Sequence, residues 1–182
     1  MIEGMILLAD GFEQTEALQA HDAFRRTGQI HPVLLSIHDR KEVESSSGVK
    51  VIADGLLKEN KGDRYAFLLL PGGKRGVDNL KASPEVIAMI KEFHDAGKPI
   101  YAICAAPSIL GELGYLDGKN YTCFPGFQVG KGNYIDTGAV KDGDLITGHS
   151  MGYTLVFAEE IIRSLLGEDA VKRIRPGTMG LA

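Results

Sequence analysis

Hydrophobic residues follow two alternating patterns along this chain. Short, nearly continuous apolar runs occupy residues 2–9, 32–37, 65–70 and 99–103, and such runs are typical of strands buried on both faces of a sheet. Apolar residues at helical spacing occupy residues 13–27, 83–96, 106–113 and 152–166. Because strands and helices alternate, the sequence predicts an α/β sandwich with a mostly parallel central sheet.

Shorter patterns complete the prediction. Residues 41–54 contain alternating apolar positions beside a serine-rich turn and predict a small β-excursion. Residues 121–124 predict a short strand, and residues 134–140 and 145–147 predict a hairpin-like pair. The residues after the last helix are interpreted as a short tail.

Composition and charge narrow the class of protein. A chain of 182 residues with 44% hydrophobic and 24% charged residues is expected to form one globular domain over residues 1–182. A net charge of −4 without a basic stripe gives no expectation of a nucleic-acid partner. No apolar run approaches the roughly 18 residues that a membrane span needs, and a signal-peptide pattern is missing, so a cytoplasmic location without a membrane partner is expected.

Cys104 lies at the junction between the strand at 99–103 and the helix that follows. No loop residues separate the two, so Cys104 has to occupy a tight turn, as the nucleophile of a strand–turn–helix elbow does. A thiol at a helix N-terminus meets the positive end of the helix dipole, which predicts a lowered pKa and a reactive thiolate. The alternative is that Cys104 is a small buried apolar residue, the usual state of a free cysteine.

The cysteines and histidines predict no metal site. Cys104 and Cys123 make no disulfide framework, and no group of Cys and His has the spacing of a zinc site. Neither a metal nor a cofactor is therefore expected.

Two carboxylates, Glu13 and Glu16, interrupt the apolar stripe of the first helix. Each is spaced to face inward, where burial would raise its pKa and let it share a proton with a nearby thiol. Both also fit as acids near a helix N-terminus, where negative charge is favourable. Spacing alone does not choose between these roles.

Gly72 and Gly73 directly follow the buried strand at 65–70. Glycines in this position let backbone N–H groups approach a ligand closely, which is how a cradle for an anion or oxyanion is built. A plain strand-to-helix turn is the alternative. Sites in parallel sheets gather at the carboxyl ends of the strands, where Asp10, Cys104 and both glycines are expected.

Residues 148–152 read Gly-His-Ser-Met-Gly and match the G-x-S-x-G motif of serine α/β-hydrolases. In that fold the acid and the histidine follow the serine along the chain, but no histidine follows Ser150 and too few residues remain to supply the missing strands. The hydrolase interpretation is therefore disfavoured, and Ser150 is predicted to cap the last helix.

The combined motifs resemble those of the ThiJ/PfpI superfamily, in the branch of the parkinsonism-associated deglycase and its bacterial relatives. The matching segments lie at residues 8–16, 69–73, 102–107 and 157–161, in the family's order. The resemblance implies a flavodoxin-like, class I glutamine amidotransferase-like sandwich with helices on both faces of the sheet, and a homodimer. It also implies that Cys104 is the nucleophile, that Glu16 is the acid beside its sulfur, and that the N–H groups of Gly73 and Ala105 line the oxyanion or sulfinate pocket.

Two positions depart from the family's pattern. Ala105 follows the cysteine where the protease branch has histidine, so a protease triad is not supported. Phe124 stands where the deglycase branch has a histidine before proline, so the imidazole that would shuttle protons is missing. His149 lies near the position of a basic residue of that branch and is the candidate to act catalytically in its place.

The resemblance implies one of two functions. The first is a glyoxalase III or deglycase activity on small 2-oxoaldehydes or glycated proteins, with Cys104 as thiolate and Glu16 moving protons. The second is a non-catalytic sensor of oxidative stress, or a chaperone, in which Cys104 is oxidised to a sulfinate.

Overall fold

The computed structural model describes residues 1–181, in which strands and helices alternate. The strands are β1 (Ile2–Leu8), β2 (Ile30–Ser36), β3 (Glu42–Glu44), β4 (Lys50–Ile52), β5 (Gly55–Leu56), β6 (Phe67–Leu70), β7 (Ile100–Ile103), β8 (Asn120–Tyr121), β9 (Asn133–Tyr134), β10 (Ala139–Asp142) and β11 (Leu145–Gly148). The helices are α1 (Gln14–Arg26), α2 (Lys74–Ala82), α3 (Pro84–Asp95), α4 (Pro107–Glu112), α5 (Thr154–Leu166) and α6 (Glu168–Met179).

Seven strands form one sheet in the order β10-β11-β7-β6-β1-β2-β5. Its strands pair in parallel, except that β10 and β11 form an antiparallel hairpin at one edge. The short strands β3 and β4 pair with each other, as do β8 and β9. The predicted α/β architecture with a mostly parallel sheet is therefore confirmed.

Successive residues of the central strands pack into two separate apolar layers. In β1, Met5 and Leu7 face one layer and Ile6 and Leu8 face the other, and all four are completely buried. Helices α2, α3 and α4 cover the first layer, and α1, α5 and α6 cover the second. Burial on both faces explains why these strands have continuous apolar runs.

The interpretation of the last residues as a tail is wrong, because α6 occupies most of them. Its buried residues Ala170, Val171 and Ile174 have helical spacing and pack into the second apolar layer. A bidentate pair between Arg175 and Glu159, with N···O distances of 2.8 and 3.0 Å, ties α6 to α5.

Two helix starts differ from the prediction. Helix α5 begins at Thr154, and Ser150 instead precedes a 3₁₀ turn over Met151–Tyr153 without capping it through its side chain. Helix α4 begins only at Pro107, so three residues of turn, 104–106, separate it from β7. Helix α2, which follows Gly73, has no counterpart among the predicted helices.

Within residues 1–181, no helix combines the length and the apolar character that crossing a bilayer requires.

Candidate active site

Cys104 occupies a strained turn at the carboxyl end of β7. Its φ of 66° is the only positive value at a non-glycine residue within residues 1–181. The left-handed region costs an L-residue roughly 1–2 kcal/mol, so neighbouring structure has to hold it there. The Cys104 N–H donates to the carbonyl of Gly148 at 2.9 Å, and its carbonyl accepts from the N–H of Phe124 at 2.9 Å. The elbow is thus held from two sides, and the side chain of Cys104 stays partly exposed.

Glu16 carries its carboxyl group into this turn from α1. The side chain is completely buried, and Oε2 accepts a hydrogen bond of 2.7 Å from the N–H of Gly72. Oε1 has no hydrogen-bond partner among residues 1–181. Burial disfavours the charged form and raises the pKa of Glu16 to about 7, although contacts with Cys104 and Gly72 oppose the shift. The group can therefore bind or release a proton near neutral pH.

The thiol of Cys104 faces the carboxyl of Glu16 and the N–H groups of Gly73 and Ala105. Burial and then the negative charge of Glu16 raise the pKa of Cys104 to about 12, and the two N–H donors only partly oppose them. The expectation of a lowered pKa is wrong for this arrangement, because burial of the thiol, and after it the charge of Glu16, disfavours the thiolate. Both shifts favour the protonated forms, so the pair carries at least one proton at neutral pH.

Because Gly72 and Gly73 have no side chains, the thiol of Cys104, the carboxyl of Glu16 and the backbone N–H groups can lie close together. A Cβ on Gly72 would lie 2.6 Å from Cβ of Cys104 and 2.6 Å from Oε2 of Glu16. Gly73 has a φ of 85°, and a Cβ there would lie 2.4 Å from the carbonyl oxygen of Gly11. The sequence predicts the N–H of Gly73 as a donor. It does not predict that the N–H of Gly72 donates to the carboxyl of Glu16.

Glu13 has a different task from Glu16. Its Oε2 accepts from the N–H of Glu16 at 2.8 Å and caps the start of α1, while its own N–H donates to the carbonyl of Gly72 at 3.0 Å. Of the two carboxylates that spacing alone could not separate, the structure brings only Glu16, the one that the resemblance implied, to the sulfur.

His149 directly follows β11, the strand next to the elbow, because Gly148 pairs with Ile103, but its ring nitrogens do not contact the sulfur. Nε2 is 3.2 Å from Oδ1 of Asp136, and Nδ1 is 3.1 Å from Oγ of Ser150. The ring has no hydrogen bond to Cys104 or Glu16 in the described part of the chain. The structure therefore does not bring this candidate into the Cys104 cluster.

Phe124 lies next to the elbow through its backbone and carries an apolar ring. Its N–H is bonded to the carbonyl of Cys104, its side chain is 44% exposed, and its ring meets the edge of Phe127 at 6.2 Å. A phenyl ring neither donates nor accepts a proton, so this position offers no acid or base.

Residues 1–181 contain no cluster of three or more His, Cys, Asp or Glu side chains that could hold a metal ion.

A strained cysteine beside a buried glutamate, on the carboxyl edge of a flavodoxin-like sheet, defines a class of α/β sandwich proteins with an elbow cysteine. The sequence profile of the DJ-1/PfpI family matches residues 4–164, and the chain belongs to this family. The predicted family is thereby confirmed.

Several known proteins are similar to this chain. Protein dj-1beta of Drosophila melanogaster is 31% identical over 96% of this chain and 95% of its own length. Protein DJ-1 homolog B of Arabidopsis thaliana is 32% identical over 96% of this chain, which spans only 40% of that longer protein. A deglycase of Pyrococcus abyssi is 28% identical over 88% of this chain and 98% of its own length.

The fold also matches solved structures. The crystal structure of a DJ-1 superfamily protein from Salmonella typhimurium, a cysteine-to-alanine mutant, superimposes with a TM-score of 0.92 at 34% identity, covering 100% of both chains. The flavodoxin-like sandwich with helices on both faces is therefore the fold of this protein.

Proposed function

We propose that this protein converts small 2-oxoaldehydes, or their adducts on proteins, into 2-hydroxy acids, with Cys104 as the nucleophile and Glu16 as the proton carrier. The supporting observation is the meeting of a partly exposed sulfur, a buried carboxyl group and the N–H groups of Gly73 and Ala105 at one strained turn. Similarity to a deglycase supports the choice of substrate class. We also propose a homodimer as the assembly and glycated proteins as macromolecular partners.

The first step moves a proton away from the sulfur. A Glu16 carboxylate takes the thiol proton as the sulfur attacks, because a thiol with a pKa of about 12 does not lose its proton to a carboxylate with a pKa of about 7 beforehand, and the Gly73 and Ala105 N–H groups stabilise the charge that develops on the sulfur. The sulfur adds to the aldehyde carbon, Glu16 passes the proton from the thiol to the aldehyde oxygen, and a hemithioacetal forms while Glu16 returns to the carboxylate. From a carbinolamine adduct on a protein, the same attack breaks the C–N bond, the amine leaves with the proton that Glu16 took from the thiol, and the same hemithioacetal forms.

The second step transfers hydrogen between the two oxidised carbons. Glu16 as carboxylate removes the proton from the former aldehyde carbon and returns it to the neighbouring carbon, while the hydroxyl proton passes to the neighbouring oxygen. The product is a thioester on Cys104. Water hydrolyses it to the 2-hydroxy acid and the free thiol, so the net reaction consumes one water.

Loss of the thiol tests this function directly. Methylglyoxal should be converted to lactate by the wild type, and Cys104→Ser should reduce lactate formation to background because the nucleophile is lost. Cys123→Ala is the matched control, since Cys123 is completely buried in the first apolar layer, and it should keep the rate within about twofold. A Cys104→Ser variant that is as fast as the wild type would falsify the proposal.

A second candidate function, a sensor of oxidation, is favoured by the unpartnered Oε1 of Glu16. A protonated Glu16 could donate to one oxygen of a Cys104 sulfinate, and the Gly73 and Ala105 N–H groups could bind the other. Dilute hydrogen peroxide should then add two oxygen atoms to the wild type and none to Cys104→Ser, as measured by intact mass. If the wild type shows no stable two-oxygen adduct, the sensor function is excluded.

A further inference from the structure

Arg75 places a positive charge next to the candidate active site. It belongs to the first turn of α2 and follows Gly73, whose N–H faces the sulfur, by two residues. The stem of Arg75 lies along Gly11, where a Cβ would come within 2.6 to 3.0 Å of its Cβ, Cγ and Cδ atoms. That stem lies against the loop after β1, and the carbonyl of Gly11 in this loop packs against Gly73, so the exposed Arg75 lies at the rim of the site.

Charged residues next to Arg75 and around Gly11 have partners. Lys74 pairs with Asp78 at 2.7 Å, Arg40 pairs with Asp10 at 2.6 Å, and Glu13 accepts a backbone hydrogen bond at the start of α1. Arg75 has no carboxylate within ion-pair distance in the part of the chain that the structure describes. Its planar fork of N–H donors is therefore free to bind an anion from solution.

We propose that Arg75 selects carbonyl compounds that carry an anionic group, a carboxylate or a phosphate, beyond the reacting aldehyde. This inference rests on the proposed function in one respect, that the ligand reacts at Cys104. Arg75 acts as a specificity residue, since it contacts the distant anionic group and takes no part in the steps at the sulfur. A bidentate contact from guanidinium to carboxylate or phosphate supplies the preference.

Two alkylating reagents of nearly equal size test Arg75 without any turnover. Iodoacetate is an anion and iodoacetamide is neutral, and both transfer their carbon to the Cys104 thiolate with loss of iodide. The rate of each is read as the mass gain of the peptide that contains Cys104, and the ratio of the two rates reports the local attraction for anions. Arg75→Gln should lower the ratio about three- to tenfold, the effect of one partly exposed charge, and should leave the iodoacetamide rate within about twofold.

Three comparisons separate this effect from a general structural one. Lys74→Gln is the matched control and should change the ratio less than twofold, because the charge that it removes is already paired with Asp78. Arg75→Lys should restore most of the ratio. Raising the salt concentration should bring the wild-type ratio toward that of Arg75→Gln. If Arg75→Gln keeps the wild-type ratio, or changes it no more than Lys74→Gln does, the proposal is overturned.

Turnover assays distinguish a failure of the proposal for Arg75 from a failure of the proposed function. Arg75→Gln should raise KM for a phosphate-bearing 2-oxoaldehyde about three- to tenfold and leave KM for methylglyoxal within about twofold. Equal KM changes for the two substrates would overturn the selection of anionic carbonyl compounds. A wild type that converts neither substrate overturns the proposed function instead, and the alkylation ratio still decides whether Arg75 attracts anions to Cys104.

Discussion

At Cys104, the backbone conformation could be predicted from the sequence and the acidity of the thiol could not. A strand that ends at Ile103 next to small residues indicates a tight turn, and the φ of 66° agrees with that prediction. The pKa depends first on burial and then on Glu16, which is far away in sequence and is held near the sulfur through its hydrogen bond to Gly72, just after β6. The helix terminus taken alone predicts a lowered pKa, whereas burial and the charge of Glu16 raise it.

The choice between Glu13 and Glu16 shows the same limit. Both lie near the start of α1, and both are spaced to face apolar neighbours. Gly72 decides between them, since its N–H donates to Glu16 while its carbonyl accepts from the N–H of Glu13. That contact joins residues 56 positions apart, which no local pattern encodes.

Phe124 is expected to limit the rate of the proposed reaction. Phe124→His should raise kcat for methylglyoxal about tenfold or more, because a positioned acid–base group typically contributes 10²–10⁴-fold and this residue is bonded to the carbonyl of Cys104. Lactate formation at saturating substrate measures the change. Phe127→His is the matched control. It introduces the same imidazole at the aromatic residue that contacts Phe124, and it should not raise kcat.

His149 provides the opposing test. Its two ring nitrogens already contact Asp136 and Ser150, so His149→Ala should leave kcat within about twofold. A large loss of rate in His149→Ala, together with no gain in Phe124→His, would mean that His149 moves the proton and that the argument from Phe124 is wrong.

Among the elements, those with continuous apolar runs or strong helical stripes could be predicted, and those with weak stripes could not. The apolar run at residues 65–70 predicts a buried strand, and β6 is fully buried. Helix α2 was missed because its buried face consists of Gly76, Val77 and Leu80, with only two apolar side chains. Helix α6 was missed because Pro176 and Gly177 near its end indicate a break, whereas the packing of Val171 and Ile174 decides its structure.

The residues of the candidate site lie at the ends of strands and helices and not in their interiors. The sulfur and its partners come from the ends of β6 and β7 and from the start of α1, which the parallel sheet brings to one edge. The location of the site at the carboxyl ends of the strands follows from the alternation of strands and helices alone. Its chemistry depends on hydrogen bonds between loops, such as the one from Cys104 to Gly148, that the sequence pattern does not specify.

For the molecule as a whole, the buried carboxyl of Glu16 makes stability depend on pH. Its pKa is raised from 4.5 to about 7, so between these pH values the folded state binds more protons than the unfolded state. The contribution of Glu16 is therefore favourable below pH 4.5 and is lost as the pH rises through about 7. Integrated over this window, the loss amounts to about 3 kcal/mol of the free energy of unfolding.

Urea unfolding of the wild type and of Glu16→Gln, at pH values below and above this window, measures that contribution. Because glutamine does not titrate, the wild type should lose about 3 kcal/mol relative to Glu16→Gln as the pH rises. Gln14→Ala, at the first residue of α1, is the matched control: it removes no titratable group, so any cost in stability should be about the same at both pH values. If the difference between the wild type and Glu16→Gln does not change with pH, Glu16 titrates alike in the folded and unfolded states, and its proposed role as a proton carrier near neutral pH fails with it.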